Sequence, residues 1–293
     1  MTEFIAKSKW VPSELNDRLH RGASKVEIQI LEPDLDPFLR ESWWDGTFVP
    51  HVAAVHTPLV TAGDVTDDYS IDTKKGREII LDICNRAARI AEKGQRPVSI
   101  ITHLGKTMNE LKAEGSLGKL IEWTRNLCVN FPQLEIMIEN TIMSGEDPCA
   151  CAKLAASVGC RNTGTCLDIC HAQMVEHKAR VMSFRDGWRG PEPMSLSRFY
   201  SNMASTLKWI HLSQATDCGT GLGSGKGHGA AFRKADFRDM LLLEQIIWLN
   251  RKYGFTGGLC VEVQEDDYGN AVNFTSTVLA YETALQRMSE YEI

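Results

Sequence analysis

Short apolar runs alternate along this chain with longer segments of helical periodicity. Eight runs, at 4–10, 25–31, 51–57, 97–104, 135–141, 164–170, 207–213 and 257–263, are rich in Val, Ile and Leu. Runs of this length and composition predict strands covered on both faces. Between them, 76–94 places Ile79, Ile80, Ile83, Ala87 and Ile90 at helical spacing and stops at Gly94. Segment 115–131 does the same with Leu117, Leu120, Ile121, Trp123, Thr124 and Leu127. Segment 147–159 opens with Asp147 as an N-cap and Pro148 at the first helical position, and ends at Gly159. The strongest pattern, 234–254, carries Phe237, Met240, Leu241, Ile247 and Trp248 before a closing Gly254. Strands alternating with helices, without a second composition regime, predict a parallel α/β protein. Eight such units in 293 residues predict a (β/α)8 TIM barrel, one domain over 1–293.

The polar residues that end these runs carry the chemistry. The third run ends at His56, the fourth at His103, the fifth at Glu139, the sixth at Asp168 with His171, the seventh at His211 and the eighth at Glu262. His228 is added from the glycine-rich stretch GSGKGHG. In a TIM barrel the functional groups gather at the carboxyl ends of the strands, so these positions are expected to share one rim. Glu139, Asp168, His211 and Glu262 form a mixed oxygen and nitrogen set suited to Zn, Mn, Co or Fe(II). A lone Glu or His at a strand end is ordinarily a salt-bridge or hydrogen-bond partner. Several carboxylates closing on one mouth repel one another unless a cation lies among them, and this favours a metal for the group.

Two segments after strand ends are unusual. Residues 60–75 are acidic, and 172–206 reads as a long loop with Arg180, Arg185, Arg189 and Arg198, placed to act as a lid or to contact substrate. Lys226 in GSGKGHG is a candidate contact for a substrate phosphate or carboxylate. It does not follow phosphate-loop spacing, because Gly227 comes next. Trp43 and Trp44 are read as packing residues.

Composition narrows the picture further. A net charge of −6 gives no global attraction to nucleic acid, although bound cations can reverse the field locally. The nine cysteines include no CxxC pair and read as buried thiols of a reducing compartment. No apolar stretch is long enough to span a membrane, and the first residues lack a signal-peptide pattern, so a cytoplasmic protein is expected.

The motifs resemble the xylose-isomerase-like TIM-barrel superfamily over nearly the whole chain, and within it most closely endonuclease IV. The matching residues are His56, His103, Glu139-Asn140, Cys166-Leu167-Asp168 with His171-Ala172, His211-Leu212, His228 and Glu262. The resemblance implies that His56, His103 and Glu139 hold one metal. Glu139, Asp168, His211 and Glu262 would hold a second, and His171 with His228 would reach a third. Lys226 stands where that family has an aspartate ligand, which weakens the third site.

Two activities follow from this likeness. One is a multinuclear hydrolase of phosphoesters, with damaged DNA as a partner, in which metal ions activate hydroxide and Arg185 and Arg189 steer an anionic substrate. The other is an isomerase or epimerase of a small sugar or sugar phosphate. There Glu139 and Glu262 form an acid–base pair and His171 contacts substrate. Zn, Mn or Fe is the expected cofactor, with one to three ions according to which reading holds. A non-catalytic metal or ligand binder is a minor third reading.

Overall fold

The computed structural model describes residues 3–31, 34–40, 47–58, 69–141, 147, 149–183, 194–215, 229–265, 267 and 269–291. Eight parallel strands close into a barrel in sequence order, with helices between them: a single (β/α)8 barrel. The strands are β1 Phe4–Lys9, β2 Lys25–Gln29, β3 Val52–His56, β4 Val98–His103, β5 Leu134–Glu139, β6 Thr163–Asp168, β7 Leu207–Leu212 and β8 Gly258–Val261. Each falls within, or one residue beyond, a run expected from the sequence. The helices are α1 Pro12–His20, α2 Leu35–Arg40, α3 Lys74–Gly94, α4 Met108–Ala113 and α5 Leu117–Asn130. They continue with α6 Ala150–Val158, α7 Ile169–Ser183, α8 Leu196–Met203, α9 Phe237–Lys252 and α10 Val272–Tyr291.

Strand side chains alternate between two apolar layers. Outward residues such as Val26, Ile28, Ile100, Ile136 and Leu167 pack against the helices in the main core. Inward residues Ile101, Met137, Cys166, Trp209 and Cys260 form a second cluster inside the barrel. Two residues further along each of these strands lie His103, Glu139, Asp168, His211 and Glu262. The period of two therefore turns the chemistry-bearing residues toward the barrel axis, one layer above the inner core.

Several expected helix boundaries shift. α3 ends in the left-handed conformation at Gln95 (φ 52°), while Gly94 is its last helical residue and packs against Val49. α6 starts after Cys149 and not at Asp147. The Asp147 carbonyl accepts the Ala150 N–H, its carboxylate pairs with Lys153 at 2.6 Å, and Gly159 closes the helix at φ 67° as expected. Pro148 lies outside the described residues. α9 is capped by Asp236, which accepts the N–H groups of Arg238 and Asp239. Its buried face is Met240, Leu243, Ile246, Ile247 and Leu249. Phe237, Leu241 and Trp248, read as part of one apolar stripe, fall on the opposite side, 68%, 47% and 48% exposed.

The expected loop at 172–206 is helical at both ends, in α7 and α8. Leu196, Phe199, Tyr200 and Met203 recur at three- and four-residue steps and bury one face of α8. The acidic stretch 60–68, Trp43, Trp44, Arg185, Arg189, Lys226 and His228 lie outside the described residues. Among the described residues every cysteine is free, and no helix is long and apolar enough to cross a membrane.

Asp17 on α1 ties the start of the chain to its end. Its carboxylate accepts the Ala271 N–H at 2.9 Å, just before α10, and pairs with Arg21 at 2.9 Å and Arg18 at 3.0 Å. Burial pushes its pKa up, but the Ala271 amide and the Arg21 guanidinium outweigh this and hold it below the usual range. A carboxyl depressed on folding adds stability above its unfolded pKa and loses it as pH falls through the folded value. Asp17→Asn is therefore expected to cost about 1 kcal/mol near neutrality. In strong acid the variant and the parent should converge, as read from urea midpoints at both pH values.

Candidate metal centre

Glu139, at the end of β5, is the hub of the rim. Its Oε2 lies 3.0 Å from His56 Nε2, 3.5 Å from His103 Nε2 and 3.5 Å from His211 Nδ1. Its Oε1 lies 3.2 Å from His171 Nδ1. Burial opposes its charge, yet His211 and His103 hold its pKa well below the carboxylate range. Beside it, His211 Nδ1 faces Glu262 Oε2 at 2.6 Å and Asp168 Oδ2 at 4.0 Å.

Asn140 explains the Glu-Asn and Asp-x-x-His motifs mechanically. Its side-chain oxygen accepts the Asp168 N–H at 2.7 Å and its amide nitrogen donates to the Asp168 carbonyl at 3.1 Å. Its own carbonyl accepts from His171 Nδ1 at 2.8 Å. Asp168 Oδ1 then accepts the His171 N–H at 2.8 Å, where α7 begins. β5, β6 and α7 are thus locked together behind the rim. Burial lowers the His171 pKa, but Asp168 and Glu139 overcome it and raise the group to about 9.

The donor set fits a divalent metal. His56 engages the Thr57 carbonyl with Nδ1 at 2.9 Å. Burial, with the Lys7 charge, pushes its pKa down, so the ring is neutral and Nε2 carries a lone pair. That lone pair faces the Glu139 carboxylate at 3.0 Å. Two acceptors at such a distance repel unless a cation lies between them. His211 Nδ1 and Glu262 Oε2 lie 2.6 Å apart as an ion pair; burial opposes the His211 charge, but Cys166, Glu262 and Glu27 raise its pKa well above the ordinary value, so a proton stands there where a metal would sit. Ligand atoms of His56, His103 and Glu139 lie within 4.8 Å of one another, as do those of Asp168, His211 and Glu262, and those of Glu139, Asp168 and His171.

Two charged residues not anticipated from the sequence sit directly beneath this set. Lys7 on β1 donates to Glu262 Oε1 at 2.5 Å and lies 3.5 Å from Glu27 Oε1. Burial lowers its pKa, but Glu262, Glu27 and Glu139 reverse this and raise it, so the ammonium persists. Glu27 on β2 is fully buried, and its Oε2 accepts from Trp209 Nε1 at 2.8 Å and meets His211 Nε2 at 3.0 Å. Burial pushes Glu27 up, but His211 and Lys7 leave it below the carboxylate range. The far side of Trp209 lines a cavity of about 500 Å³ at the amino ends of the strands, with Lys25, Arg96 and Lys208. A Cβ at Gly258 would run into the Trp209 ring, so β8 needs glycine there for the indole to lie across the barrel.

No family model matches the chain, and no curated protein matches it in sequence. Solved structures do match. A xylose isomerase domain protein from Planctomyces limnophilus is 12% identical over 98% of each chain, with a TM-score of 0.63. An IOLI protein with a binding zinc atom is 14% identical over 98% of this chain and 97% of its own, with a TM-score of 0.58. An L-ribulose 3-epimerase is 13% identical over 100% and 99%, with a TM-score of 0.55. The narrower likeness to endonuclease IV rests on the sequence motifs alone. At these identities the comparison establishes the architecture: the chain has the fold of the xylose isomerase-like TIM barrels.

Proposed function

We propose that this protein is a metal-dependent isomerase or epimerase of a small sugar or sugar phosphate. The observation that carries the reading is the convergence of Glu139, Asp168, His211 and Glu262 on one point around His211 Nδ1. The architecture shared with an L-ribulose 3-epimerase supports the sugar class. A divalent ion held by these four residues would polarise adjacent substrate oxygens and so acidify the neighbouring C–H.

The protein groups supply the rest. Asp168 and His211 are completely buried and serve as fixed ligands. Glu139 and Glu262 come from β5 and from the end of β8, and both are held as carboxylates at neutral pH. One of them takes a proton from the substrate carbon, and the carboxylic acid so formed returns that proton to the neighbouring carbon in carbonyl migration; epimerisation needs the opposite carboxyl to enter the cycle protonated, taking that proton from solvent. Lys7 occupies Glu262 Oε1 and leaves Oε2 toward the site. His171 is 12% exposed, as is Glu262, while the other rim side chains are nearly closed to solvent. His171 is therefore placed to donate a hydrogen bond to a substrate oxygen.

A second reading, a multinuclear phosphoester hydrolase, draws on the separate ligand set of His56, His103 and Glu139. The two are separated by incubating Mn-loaded protein with a panel of ketopentoses, ketohexoses and their phosphates in D2O. Deuterium entering the carbon next to the carbonyl is expected. Absence of exchange, together with cleavage of an oligonucleotide containing an abasic site, would replace the isomerase with the hydrolase.

A further inference from the structure

Glu27 is a fully buried carboxylate that lies below the rim and outside the ligand set just described. On β2 it stands beside Lys7 in the β1–β2 register, where the β2–β3 pairing shifts between Val26 and Glu27. The Trp209 indole can only donate, so Glu27 Oε2 is the acceptor of that bond. The same oxygen meets His211 Nε2 at 3.0 Å, and a carboxylate there places the proton on Nε2. With a metal in place of the Nδ1 proton, the ring would be neutral and would present its Nδ1 lone pair to that metal. Nδ1 is the atom surrounded by Glu262 Oε2, Glu139 Oε2 and Asp168 Oδ2 at 2.6, 3.5 and 4.0 Å. One ring edge thus faces the carboxylate below and the other faces the candidate centre above.

We propose that Glu27 is a positioning residue that fixes His211 as an Nδ1 metal ligand, with Trp209 and Lys7 holding Glu27 in place. A ligating histidine that gives its other N–H to a carboxylate gains a fixed tautomer, a fixed orientation and greater basicity. The Trp209 bond fixes the Glu27 oxygen from the side of the inner core. Lys7, 3.5 Å from the other oxygen, supplies the counter-charge that lets a carboxylate persist without solvent. The inference rests on reading the rim as a metal centre.

Cobalt(II) tests it without any assay of turnover. The purified full chain, Glu27→Gln, Glu27→Met and the double variant Lys7→Met/Glu27→Met are titrated with Co(II). Affinity is read by chelator competition and coordination by visible absorption. The double variant guards against misfolding of Glu27→Met by removing a buried charge of each sign, and Lys7→Met alone is titrated beside it because Lys7 also holds Glu262. Glu27→Gln keeps an oxygen acceptor and is expected to stay close to the parent. The two variants carrying Glu27→Met are expected to bind about 10–100-fold more weakly, with an altered spectrum. Parent-like affinity and spectrum in a folded variant carrying Glu27→Met would overturn the positioning role while leaving the metal centre standing. A parent protein that takes up no cobalt would overturn both.

Discussion

Glu139→Gln is expected to lower turnover by about a thousandfold or more, and to reduce bound metal, while the barrel stays folded. The size of the effect follows from its place as hub. One carboxylate faces His56, His103, His171 and His211, so the change removes a candidate ligand, a candidate base and the negative charge at the centre of four imidazoles. The fold should tolerate it because glutamine has the same shape and β5 is held elsewhere. Six residue pairs join it to β4, and its outward residues Ile136 and Ile138 lie in the main core. Steady-state kinetics, metal content and circular dichroism on one preparation decide the matter. A variant with full turnover and normal metal content would mean that the reaction happens elsewhere.

Lys7→Met is expected to be among the most destabilising changes in the barrel interior, by about 3–5 kcal/mol in metal-free protein. The ammonium is 7% exposed and lies between Glu262 and Glu27, and removing it strips its charge from fully buried Glu27 and largely enclosed Glu262. Adding Glu27→Gln should recover part of the loss, because one of the stranded charges is then gone. The double-mutant cycle in urea measures that coupling. The two effects adding independently would show that Lys7 and Glu27 do not communicate.

Lys7 and Glu27 also show where reading the chain alone stops. The eight strands were legible because each apolar run is short, β-rich and bounded by polar residues. The rim followed because barrel topology brings strand ends together whatever their separation in sequence. Lys7 in FIAKSK and Glu27 in KVEIQ instead look like the polar half of an alternating strand with a solvent face. A closed barrel wrapped in helices offers its strands no such face. A charged residue between apolar neighbours must then point inward, as Glu27 does between Val26 and Ile28. That signal was present in the pattern once a barrel was assumed. Helices α1, α2, α4, α7, α8 and α10 were not anticipated, several being short or starting directly from a rim residue, as α7 does after Asp168. The stripe on α9 misled because apolar residues occupy both its faces.

The indole of Trp209, seated between the cavity at the amino ends and Glu27, makes the barrel a cul-de-sac. Among the described residues, Trp209 and the inner core leave no passage from the amino side to Glu139 and Glu262. A chain therefore cannot be threaded through the barrel from end to end. Such a vessel suits a compact substrate that turns over in place.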